Sequence, residues 1–373
     1  MSPVVRELRV HSTSLALVRP FVTAIRRADS IPVVLVEAVD EEGTSGWGEA
    51  AASWRVTGES PESVRSAVEG PIAEVVIGRS LDGLDHLDLD LSRALVQNSA
   101  ARSAVECAVL DLAATRAGRT LAGTMGATRD GVLTDVTVSA GSTDSLVNDA
   151  VRWAEAGFGT IKLKVGAGGD DRSALPAVRE AVGPQVRLRA DANQGWGVDE
   201  AVGIIRHWED AGVDLELVEQ PVRARDLDGM AAVTARVATP VLADESVRTS
   251  EDLDELIRRS AADLVNLKLA KSAGPARARR MARRAAEHGL GVVIGCMMES
   301  AVGVGAAAAL AASLPGPDGE RTHDLDAGLW QSTAPVRGGI RYRGPRIVFS
   351  DRPGLGIDGL AGRGSPSRSE VPA

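Results

Sequence analysis

The sequence predicts a β/α barrel with an α+β cap, and three observations carry that prediction. From about residue 126 a unit repeats: a short apolar strand, a loop, then an amphipathic helix. Charged residues recur near the C-terminal ends of those strands, about one unit apart. The first ~125 residues lack the repeat and read as strands and turns followed by helices.

In chain order, "VVRELRVHSTSLAL", "PVVLVEAVDEEG" and "SGWGEA" read as antiparallel strands. "SPESVRSAVEGPIAEVVIG" and "SAARSAVECAVLDLAATRAG" read as helices. Then come eight strands: "LTDVTVSA" (133–140), "TIKLKVG" (160–166), "VRLRADAN" (186–193), "LELVEQP" (215–221), "TPVLADES" (239–246), "DLVNLKLA" (263–270), "GVVIGCMMES" (291–300) and "THDLDAG" (322–328). The helices between them include "SLVNDAVRWAEAG" (145–157), "DEAVGIIRHWEDAG" (199–212) and "ARARRMARRAAEHG" (276–289), each ending in Gly. Eight strands favour a closed barrel, with an open sheet as the alternative. "GGIRYRGPRIVFSDRPGLGI" (338–357) is again strand and turn and is expected to return to the cap. The expected division is a cap over 1–125, completed by about 338–360, a barrel over 126–337, and a loosely ordered tail over 361–373.

Composition narrows the function. A net charge of −9 favours neither nucleic acid nor an anionic membrane. No apolar run is long enough to span a bilayer, and "MSPVVRELRV" lacks the apolar core of a signal peptide. Two cysteines, Cys107 and Cys296, without metal-ligand spacing suggest a reducing, cytoplasmic setting. With five histidines, no two at helical ligand spacing, a zinc site or a Ser–His–Asp triad has little support.

In "TIKLKVG", alternation sends Lys162 and Lys164 to one face of a buried strand, a costly arrangement without partners. Lys164, Asp191, Glu219, Asp244 and Lys268 are spaced by 27, 28, 25 and 24 residues. In a barrel all five converge at the C-terminal mouth. Three acids there repel one another unless a cation joins them, and a hard divalent ion, Mg²⁺ or Mn²⁺, suits all-oxygen ligation. A lysine base needs a lowered pKa, which a neighbouring ammonium such as Lys162 and a metal ion both favour for Lys164. Lys268 lies across the barrel from Lys164, so the pair can serve opposite faces of one carbon. That geometry predicts racemisation or epimerisation next to a carboxylate, through a metal-stabilised enediolate.

The K-x-K of "KLK", the acids of "DAN", "EQP" and "DES", and the lysine of "NLKLAKSAG" resemble the enolase superfamily, in its muconate-lactonizing subgroup. The resemblance covers nearly the whole chain, including "GWGEA" of the cap. It implies the (β/α)7β form of a modified TIM barrel, Lys164 and Lys268 as bases with Lys162 as helper, and Asp191, Glu219 and Asp244 on the metal. Within the subgroup the chain is most similar to the dipeptide epimerases. "RPFVTAIR" (19–26) resembles their first cap loop, "GCMMES" (295–300) their seventh-strand end, and "HDLDAG" (323–328) their eighth-strand Asp-x-Asp, which binds an α-ammonium. The implied substrate is a dipeptide such as L-Ala-D/L-Glu. Asp324 and Asp326 would read its ammonium, and Arg26 its acidic side chain.

The alternatives within the superfamily are N-acylamino acid racemase, o-succinylbenzoate synthase and muconate cycloisomerase; outside it, a non-catalytic solute-binding protein. Asn193 and Glu245 are expected beside the metal ligands, Glu299 to orient Lys268 or line the pocket, and Met298 with Met297 as core or substrate wall. Lys271 is expected to face solvent. Trp47, Trp54 and Trp196 are expected to pack, and the histidines, His323 included, to be structural. A homo-oligomer is left open.

Overall fold

The computed structural model describes residues 2–23 and 26–362, and for Arg26 the backbone alone. Most of the predicted tail therefore lies outside the described residues.

The cap is built on a long hairpin. Val5–Thr23 pairs antiparallel with Arg26–Asp40, which pairs with Ser45–Ala50. The register slips between Ala16 and Phe21, around Pro20, which has no N–H to give the ladder. The 18-residue helix Ser99–Arg116 lies against this sheet. The contact is backbone to backbone: a Cβ on Gly48 would stand 1.9 Å from the Ala104 carbonyl oxygen. That close approach is why "SGWGEA" carries two small residues on the face it buries.

The larger half is a parallel barrel. Its first seven staves are Val136–Val138, Thr160–Lys164, Arg187–Asp191, Leu215–Glu219, Val241–Ala243, Leu264–Lys268 and Gly291–Gly295, each hydrogen-bonded to the next in chain order. Parallel bridges from His323 to Thr134 and from Asp324 to Gly295 close the ring, so an open sheet is excluded. Helices such as Thr143–Glu155 and Val198–Asp210 return the chain between staves. The first of these is capped by the Ser142 side chain and followed by Gly157 at φ +89°.

The expected strands are longer than the staves observed; the fifth, for example, is only Val241–Ala243. The sixth ends at Lys268 and turns directly into the helical turn Leu269–Ser272. The seventh ends at Gly295, leaving "CMMES" as a turn. The eighth is only a pair of bridges, and Asp326–Trp330 winds into a 3₁₀ turn. "LTDVTVSA" also divides: Gly131–Leu133 pairs with Arg346–Val348, and Val136–Val138 forms the first stave. The C-terminal hairpin Arg341–Val348 thus joins the strand before the first stave, while Gly354 and Leu355 bond to Arg119 and Asp111 of the cap side.

Candidate active site

The second stave is buried throughout, and its pairing sets the level of the site. Lys164 is in register with Asp191, and Asp191 with Glu219. Lys164 Nζ lies 2.5 Å from Asp191 Oδ2. Lys162, one pleat deeper, lies 2.7 Å from Asp324 Oδ2, 3.3 Å from Glu219 Oε2 and 3.7 Å from Asp191 Oδ2. Lys268 donates to Asp244 Oδ2 at 2.9 Å and stands 3.8 Å from Asp324. The predicted lysines and acids therefore meet in one buried cluster at the C-terminal ends of the staves.

Lys271 corrects the expectation that it faces solvent. It is buried, and its ammonium contacts the Asp244 carboxylate as well as the carbonyls of Val247 and Asn266. The helical turn after Lys268 carries it back toward the fifth stave, whereas a continued strand would have pointed it elsewhere.

The charges are strongly interdependent. Burial alone would lower the pKa of Lys162, but Asp324, Glu219 and Asp191 outweigh it and raise the group well above the ordinary lysine range. Lys268 is raised in the same way, with burial opposed by Asp244 and Asp324. In both, the surrounding acids stabilise the ammonium. Burial and the nearby Asp191 push Glu219 up to about 8. Burial with Asp244 and Asp191 pushes Glu245 up to about 7. The acids thus exceed what the lysines neutralise.

That donor set fits a divalent cation. Asn193 Oδ1 and Glu245 Oε2 are buried without a partner among the described residues, although Asn193 Nδ2 reaches Glu245 Oε1 at 3.2 Å. A tighter acid group also exists: oxygens of Asp135, Asp324 and Asp326 lie within 4.8 Å of one another. Its charge is already partly met. Arg189 bonds Asp135 at 2.8 Å, Lys162 bonds Asp324, and Asp326 Oδ2 accepts from Thr137 N at 2.6 Å and from Trp330 Nε1 at 3.0 Å.

The cap hairpin covers this cluster. Phe21 and Thr23 line the pocket with Val56, Met297, Met298 and Ala327. Lys164 Nζ sits 5.9 Å from the Phe21 ring centroid, and Val22 is tied to the barrel through the Ala140 N–H and Ser139 Oγ. The Arg26 side chain lies outside the described residues. Glu299 does not contact Lys268; it turns back to accept from the Met297 N–H at 2.8 Å. Burial and Glu49 push it up to about 8. His323 is buried and held down to about 3 by burial and Arg189, hence neutral, with Nδ1 accepting from the Ile294 N–H. Trp47 and Trp196 pack in the core, but Trp54 is 72% exposed, against the packing role expected of it.

Two family models match the chain. "Mandelate racemase / muconate lactonizing enzyme, N-terminal domain" covers residues 5–126, and "Enolase C-terminal domain-like" covers 145–360. The chain belongs to the enolase superfamily. It is 38% identical over 358 residues to the L-Ala-D/L-Glu epimerase of Bacillus subtilis, covering 95% of this chain and 97% of that one. The solved structure of that enzyme with substrate superposes with a TM-score of 0.92, over 96% of this chain and 99% of the other. A dipeptide epimerase from Enterococcus faecalis, solved with Mg and the dipeptide L-Leu-L-Tyr, is 32% identical with a TM-score of 0.88, over 96% and 99%. With these relatives, this enolase-superfamily protein is an isomerase.

Some residues of this superfamily site escaped the sequence reading, although a signal was present. The alternation that pairs Lys162 with Lys164 also pairs Arg189 with Asp191 and Asn266 with Lys268. Asn266 Nδ2 bonds Glu219 Oε1 at 2.9 Å and Asp324 Oδ2 at 3.2 Å. Arg189 joins Asp135, Glu216 and the Thr322 carbonyl beneath the acids. Gln220 links the fourth and fifth staves by accepting from Asp244 N at 3.0 Å. Glu49 of "GWGEA" crosses from the cap to accept from the Ser300 N–H and the Gly303 N–H at the start of the helix Ala301–Ala312. Nothing local in the sequence marks that pairing.

Proposed function

We propose that this protein is a divalent-cation-dependent dipeptide epimerase whose substrate is L-Ala-D/L-Glu. The observation that carries the reading is the arrangement of lysines around the acids. Lys164 on the second stave and Lys268 on the sixth flank Asp191, Glu219 and Asp244 of the three staves between them. Asp191, Glu219 and Asp244 would hold the cation, Mg²⁺ or Mn²⁺. What favours them over the Asp135 group is their place on the three staves between Lys164 and Lys268. A bound divalent ion supplies positive charge against the substrate carboxylate as negative charge develops there.

The chain's own residues do the rest. Lys164 takes or returns the α-proton on one side and Lys268 on the other. Lys162 stays protonated beside Asp324 and adds positive charge to the same region. Lys271 shares the charge of Asp244 with Lys268. Asp324 and Asp326 offer acceptors to a substrate ammonium; the described contacts of both use Oδ2. Phe21 and Met298 close the apolar side and limit water at the reacting carbon. Arg26 would read the acidic side chain.

Incubation with Mg²⁺ and L-Ala-L-Glu in D₂O tests this directly. The account expects the D-Glu epimer, carrying deuterium at the α-carbon, and little turnover of the N-acetylated dipeptide. Equal turnover of both would move the assignment to N-acylamino acid racemisation.

A further inference from the structure

We infer that Trp330 is a positioning residue that aims Asp326 at the substrate ammonium and ties that acid to the cap hairpin. The inference rests on the dipeptide reading above. Trp330 closes the 3₁₀ turn Asp326–Trp330, so its indole folds back over the acid that opens the turn. Its Nε1–H donates to Asp326 Oδ2 at 3.0 Å, and the Thr137 N–H donates to the same oxygen at 2.6 Å. Two donors on one charged oxygen hold that oxygen in place. Asp326 lines the pocket from that fixed position.

The indole also meets the cap. The Trp330 and Phe21 rings stand 5.0 Å apart at 85°, an edge-to-face contact. Phe21 in turn lines the pocket and lies over Lys164. One side chain therefore spans the eighth segment, the hairpin and, through Phe21, the second stave. A phenylalanine could make the ring contact but has no N–H to give the acid.

The test is Trp330→Phe, which keeps the aromatic contact and removes the donor. With Mg²⁺ present, KM for the free dipeptide should rise roughly tenfold, the scale of one charge-assisted hydrogen bond, while kcat stays within about twofold. Asp326→Asn, assayed beside it, separates the inference from the reading beneath it. If Asp326→Asn raises KM and Trp330→Phe does not, or if Trp330→Phe lowers kcat with KM unchanged, Trp330 does not position the acid. If Asp326→Asn leaves KM unchanged, the ammonium reading falls and this inference with it.

Discussion

The barrel staves and the cap hairpin wall the same pocket by different physics. On the staves, Lys164, Asp191 and Glu219 are held at one level by hydrogen-bonded pairing between neighbouring strands. Their side chains are buried and lock one another through ion pairs. The hairpin reaches the pocket from a 19-residue strand, and near its tip its described contacts to the rest of the molecule include Asp149, Ser139, Ala140 and Trp330. On the proposed reading, proton transfer and ammonium binding belong to the barrel, and reading of the dipeptide's side chain belongs to the hairpin.

The largest effect should come from the stave side. Asp191→Asn, Glu219→Gln and Asp244→Asn should each abolish turnover and Mg²⁺ binding while circular dichroism shows a folded barrel. Phe21→Ala on the hairpin should leave measurable turnover with a raised KM. Comparable damage from both groups would erase the distinction.

A stability measurement sharpens it. Lys271→Met leaves Asp244 with Lys268 as its remaining lysine partner, a loss below the roughly 3–5 kcal/mol of a fully unpaired buried charge. Denaturant unfolding in chelator should show that loss, and saturating Mg²⁺ should recover part of it if Asp244 is a ligand. No metal dependence of the difference would count against Asp244 in that role.

The smallest expected change is on the hairpin. Arg26→Ala should cost Ala-Glu about 1.5–3 kcal/mol in kcat/KM, roughly ten- to a hundredfold, and Ala-Leu much less. A uniform loss across dipeptides would mean that Arg26 only shapes the loop.

The same division explains what could be read from sequence. Lys162, Lys164, Asp191, Glu219, Asp244 and Lys268 were legible because strand alternation and the length of one β/α unit place them. Lys271 was misread because the sixth stave stops at Lys268 and a helical turn reverses the direction of the next side chains. The eighth segment was read as a longer strand than it is, yet Asp324 and Asp326 still reach the pocket because the 3₁₀ turn begins at Asp326. Glu49 with Ser300 and Phe21 with Trp330 are pairs separated by most of the chain, and no local periodicity encodes them.

The central claim is that Lys164 and Lys268 serve opposite faces of one α-carbon. Deuterium incorporation from D₂O into each separate epimer, for Lys164→Ala, Lys268→Ala and Lys162→Ala, tests it most directly. The account predicts that Lys268→Ala washes deuterium into the epimer whose proton faces Lys164 without inverting it. Lys164→Ala should do the mirror image, and Lys162→Ala should slow both directions together. If either Lys164→Ala or Lys268→Ala still interconverts the epimers at near the wild-type rate, the two-base account is wrong.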